Sequence, residues 1–183
     1  MIEPIEGEPQ VRRWTEQRWA LDNVVRAVGI DWDQPRSFYL NAACGIEASA
    51  DFAGIRERVR KYADIEPTFA AAARRREAKA LAAEADGSLV TARDNYFTAA
   101  IHWGTAQWSR HDNDAENVAY NASKRECYTN YARLADHPVE PVFIPLRGRS
   151  LPGWFHLPPD YRGGRIPVVI SFPGMDTYKE VFV

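Results

Sequence analysis

The chain has 183 residues, 45% of them hydrophobic and 26% charged, with a formal net charge of −2 at pH 7. That length can bury a real core, and six Trp mark a folded protein rather than a disordered one. The near-neutral balance gives no electrostatic case for nucleic acid or an anionic membrane, and no apolar run approaches membrane-spanning length.

Residues 1–10 carry two Pro and three Glu and are expected to form an irregular arm. No apolar segment follows a positive charge there, so the start does not read as a signal peptide. Cys44 and Cys127 have no metal or redox spacing and fit small core positions in a reducing compartment. A soluble, cytoplasmic protein is expected.

Residues 11–28 place Trp14, Trp19, Leu21, Val24 and Val25 at helical spacing, with the aromatics expected in the core. Residues 29–35 are turn-like, and 38–50 read as a short helix or an irregular wall. Phe52, Ile55, Val59 and Tyr62 give residues 51–62 the pattern of an amphipathic helix. Residues 65–86 are alanine-rich, with Pro67 in the first turn and Gly87 placed to end the helix. The triplet Arg74-Arg75-Arg76 fans over different faces and is expected to be solvated. Thr91 and Asp94 resemble a capping arrangement for a helix running to about Ser109. Asp114 can cap another over 115–135, which must stop before Pro138. Asp112 to Glu116 has a passing likeness to a calcium loop. Asn117 stands where that loop needs glycine and no distal Glu closes it, so no metal and no cofactor is expected.

At His137-Pro138 the apolar period changes from helical to strand-like. Two strands, 139–146 and 151–157, are expected around a loop at Arg147-Gly148-Arg149-Ser150. Residues 166–172 are apolar and rich in β-branched side chains, as in a strand buried on both faces. Pro173-Gly174 breaks that strand, and the N–H groups of such a turn can hold an oxyanion.

From Phe143 to Pro158, and again from Val168 to Glu180, the chain resembles the opening of an α/β-hydrolase. More closely, it is similar to the group containing 2,6-dihydroxypseudooxynicotine hydrolase and the fungal hydrolases that shorten pigment polyketides. That group's turn reads Gly-Gly-(Leu/Met/Val)-(Asp/Glu)-Ser-x-Lys-Glu, whereas here it is Pro173-Gly174-Met175-Asp176-Thr177-Tyr178-Lys179-Glu180. Pro173 and Thr177 depart from the pattern. The helical region 38–135 also resembles the group's N-terminal domain, so the likeness covers most of the chain.

The resemblance implies an α/β fold, with an all-helical cap domain over 1–137 and the first strands of a hydrolase sheet over 138–183. It implies an oxyanion donor at the backbone N–H of Met175, with Gly174 letting a substrate pass close to the turn. Asp176 and Lys179 would pin the turn. The implied reaction is serine-dependent cleavage of an ester, or of a C–C bond beside a ketone, in an aromatic or polyketide-like small molecule.

No Gly-x-Ser-x-Gly elbow occurs, and His102, His111, His137 and His156 have no acid and nucleophile companions at motif spacing. His102 reads as a packed helix residue rather than a base. In the family the nucleophile, acid and histidine follow later, so this sequence reads as a front portion whose partner is the remainder of its own hydrolase domain. A homodimer stays open. A helical interaction module and a non-catalytic binding remnant of the hydrolase fold are the competing readings.

Overall fold

The computed structural model describes residues 10–110, 112–174 and 177–182, which excludes most of the expected N-terminal arm. Six helices come first: α1 (Gln10–Val28), α2 (Leu40–Cys44), α3 (Ser49–Arg58), α4 (Ile65–Ala85), α5 (Leu89–Trp108) and α6 (Ala115–Leu134). Strands β1 (Val139–Leu146) and β2 (Arg149–His156) follow. Among the described residues no strand precedes Val139, as the change of apolar period predicts. No helix among them is long and apolar enough to cross a membrane.

Helix α5 is the centre of the helical body, packed on α4 and on α6. Every residue from Asn95 to Ala106 is buried, so the helix is enclosed all round rather than on one face. Short side chains allow that enclosure. Ala70, Ala72, Ala73 and Ala80 of α4 and Ala92, Ala99, Ala100 and Ala106 of α5 are all buried. Phe52, Ile55, Val59, Ile65 and Phe69 supply the bulk beneath them, each worth about 1.5–3 kcal/mol relative to exposure. Between α1 and α3 the chain runs through short turns and a π-helical segment, Pro35–Tyr39.

Chain ends of the helices follow local chemistry. Gly87 takes φ +76 and donates to the Glu84 carbonyl while Ser88 donates to Ala83, which closes α4 in a Schellman turn. Asp114 caps α6 by accepting from the Asn117 N–H at 2.9 Å. Thr91 does not cap α5, which begins two residues earlier at Leu89; the Thr91 carbonyl accepts from Asn95 inside the helix instead.

The helix expected over 51–62 ends at Arg58, although Phe52, Ile55, Val59 and Tyr62 are all buried as its pattern requires. Asp64 accounts for the break, because its carboxylate takes the N–H groups of Arg60 and Lys61 at 2.9 and 3.0 Å. Trp19 is not core; it is 72% exposed. The inward stripe of α1 passes instead through Val25, which is buried, and Asp22, whose carboxylate accepts from the Tyr62 N–H.

β1 and β2 form an antiparallel hairpin with Leu146 opposite Arg149. The connection is two residues, not the four expected, because Arg147 and Gly148 both adopt positive φ (47° and 74°). That is the primed turn whose twist matches paired strands. Leu157 donates to the Pro138 carbonyl, which fixes which pairs exchange hydrogen bonds. Pro141, Pro145 and Pro152 then all fall in the non-bonded pairs, with their missing N–H groups on the outer edges.

Residues 166–172 are not a buried strand in this structure. They pair with no described strand and are exposed throughout. An apolar β-branched run specifies a strand only when neighbouring strands and covering helices are there to receive it.

Candidate functional site

Residues 177–182, which follow the expected turn, pack on the helical body. Tyr178 lies against α5 where Gly104 leaves room; a Cβ at Gly104 would stand 2.4 Å from the ring's Cζ. The phenol donates to the Ile101 carbonyl at 2.5 Å and lies 3.3 Å from Thr105 Oγ1. Burial raises the Tyr178 phenol well above its ordinary range. Glu180 is fully buried next to it, one oxygen paired with Lys179 and the other without a hydrogen-bond partner among the described residues. Lys124 of α6 stands 4.0 Å from that second oxygen and donates to Gln107 at 3.0 Å. Burial lowers the Lys124 ammonium and Glu180 draws it back up.

Of the residues expected at the oxyanion turn, Gly174 is exposed and its carbonyl accepts from the Thr177 N–H at 3.4 Å. Met175 and Asp176 lie outside the described residues. Lys179 meets Glu180, within the same short 3-10 turn, Lys179–Val181.

Sequence reasoning missed two side-chain constellations because their members are far apart in the chain. The first is under α5. His102 is fully buried, with Nε2 3.3 Å from Asp51, and Arg76 reaches the same carboxylate at 2.5 Å. Arg76 also bonds Asn95 and the Glu47 carbonyl, so this member of the arginine triplet is not solvated as expected. Burial opposes the Asp51 charge, but hydrogen bonds from His102 and Arg76 outweigh it and hold the carboxyl far below its usual range. Burial keeps His102 neutral. With Nε2–H donated to Asp51, its Nδ1 is left without a partner among the described residues. The ring packs between Phe52 and Phe69, which makes it the packed helix residue expected. Burial also pushes the nearby Cys44 thiol up to about 12 and raises Cys127, so neither cysteine has the thiolate of a nucleophile.

The second constellation joins the two parts of the chain. Asp136, His137, His156 and Tyr128 form a continuous hydrogen-bonded series with separations of 3.0, 2.9 and 3.3 Å. Such a series can hold and pass a proton between an exposed carboxylate and a buried phenol. His111 lies outside the described residues.

The chain matches no protein-family model and no curated protein at a significant level.

Proposed function

We propose that this chain forms the helical cap and opening strands of a serine α/β-hydrolase. Its substrate class is an aromatic or polyketide-like small molecule, cleaved at an ester or at a C–C bond beside a ketone. One observation carries the reading: 166–172 has the composition of a core strand yet lies uncovered, with Val169 89% exposed. A run of that kind calls for flanking strands and covering helices. The hairpin supports growth of a sheet on one side. Pro141 and Pro145 remove two of the four outward N–H groups of β1, while Pro152 removes one from β2, so β2 is the better edge to extend.

In this reading the chain supplies the cap and one oxyanion donor, the Met175 N–H. The remainder of the hydrolase domain supplies nucleophile, acid and histidine. Tyr178 ties the turn to α5, so cap and turn would stay in register while a substrate is held.

The complete gene product tests it. A fluorophosphonate probe should label one serine, and aryl esters or β-diketones should be hydrolysed. Met175→Pro should lower kcat about 10²–10³-fold, the usual loss of one oxyanion donor, with a native melting profile, whereas Met175→Leu should be mild. Absence of both labelling and hydrolysis overturns the proposal and favours an interaction module or a binding remnant.

A further inference from the structure

We propose that the groove between α6 and the hairpin binds a small organic anion with an apolar body, its charge held by Arg125. The groove goes beyond the hydrolase reading and does not depend on it. Its volume is about 290 Å³, near the lower end of ligand pockets at roughly 300 Å³, enough for a fused bicyclic ring.

The lining divides in two. Val139, Pro141, Phe143, Pro152 and Trp154 give it an apolar wall, and Arg125, Arg133 and Lys179 are the only charged residues on it among the described residues. Arg133 is already paired with Glu84, and Lys179 with Glu180. Arg125 forms no ion pair among the described residues. Trp154 also has a buried indole N–H with no acceptor among them, and buried donors are rarely left so.

Those features define the ligand's chemistry. A neutral aromatic would use the wall and leave the free guanidinium idle. Inorganic phosphate would use the cations and leave the wall wet. An aryl or short-chain carboxylate uses both: its apolar part covers Phe143 and the prolines, and its carboxylate takes Arg125 in the bidentate geometry guanidinium favours. The adjacent apolar wall strengthens that pair relative to one in open water.

Calorimetry on the chain with 2-naphthoate and its neutral counterpart 2-naphthamide tests this. Naphthoate should bind about tenfold tighter than naphthamide, the scale of one charge-assisted hydrogen bond, and added salt should narrow the gap. Arg125→Gln should weaken naphthoate about tenfold and leave naphthamide unchanged. Arg125 is exposed, so circular dichroism should stay native. Phe143→Ser should weaken both probes alike. Failure of naphthoate to bind, equal affinity for both probes, or indifference to Arg125→Gln each overturns the proposal. Hydrolase activity in the complete gene product has no bearing on these outcomes.

Discussion

His137 Nε2 lies 2.9 Å from His156 Nδ1, with the two rings stacked 5.2 Å apart. The contact bridges the two parts of the chain, since His137 follows α6 and His156 ends β2. One ring must donate and the other accept; two imidazolium rings would set N–H against N–H. The neutral arrangement satisfies every member when Tyr128 donates to His156, His156 to His137, and His137 to Asp136.

Acidification should therefore loosen the seat of the hairpin. Burial first, and then the charge of His137, lower the His156 pKa below its unfolded value of about 6.5. The unfolded chain binds more protons in that window, so stability is complete above about pH 6.5 and falls as pH drops toward the folded value. His102 contributes with the same sign. Asp136, paired with His137 and 3.2 Å from Arg93, is lowered as well, and its contribution is lost only as pH falls into the carboxylate range. The melting temperature should drop between pH 7.5 and 5, less steeply in His156→Gln. A ring-proton titration of His156 at or above about 6.5 would contradict this.

Gly104→Ala should unseat Tyr178. The new methyl would meet the phenol ring at a distance no side chain tolerates, and overpacking of this kind costs about 1–3 kcal/mol. Tyr178→Phe should cost about 1 kcal/mol through the lost hydrogen bonds to Ile101 and Thr105. In a Tyr178→Ala background Gly104→Ala should be nearly neutral, so the double-mutant cycle, read by urea unfolding, must be non-additive. Additive costs would mean that the glycine serves the helix and not the docked turn.

The helical half was legible because its signals are local. Gly87, Asp114 and the Phe52-Ile55-Val59-Tyr62 series each act within a turn or two. The structure ends α4 and starts α6 where the first two were read, and buries all four residues of the series although the helix carrying it stops at Arg58. What escaped were relations across long separations: Asp51 with His102 and Arg76, His137 with His156, Tyr178 with Gly104. None has a motif spacing. In the triplet 74–76, Arg74 and Arg75 are exposed as read, and Arg76 alone was misread for the same reason, because only the arrival of Asp51, Asn95 and the Glu47 carbonyl decides that it is inside. The run 166–172 was misread for a different reason. Its composition states what it needs, and a strand's partners are not encoded within it.

Asp51→Ala should be among the most damaging single changes in the helical body. It leaves Arg76, only 11% exposed, without its carboxylate, and His102 without an acceptor. Removing one partner of a buried pair costs about 3–5 kcal/mol, and the remaining bonds of Arg76 to Asn95 and Glu47 place the expected loss near the lower end. Because the folded pKa of Asp51 is depressed, its contribution is present above the unfolded value of about 3.9 and is lost as pH falls further. Acid unfolding should start at higher pH in Asp51→Asn, which keeps the shape and removes the charge.

Lysine placed in the exposed run separates two states of the same segment. In this structure Val169, Ile170 and Phe172 are largely exposed, so Val169→Lys and Phe172→Lys remove no packing and should change stability by less than about 0.5 kcal/mol. They should also lower self-association of the chain and its binding of an apolar dye, because exposed apolar, β-branched runs are sticky toward other chains and such dyes. In a complete hydrolase the same positions would be enclosed by neighbouring strands, and a buried ammonium without a partner costs several kcal/mol. Val169→Lys should then be mild in the chain as it stands and severe in the complete gene product, as read by melting and soluble yield. A mild effect in both would mean that nothing covers the run, and the hydrolase sheet proposed for it would fall.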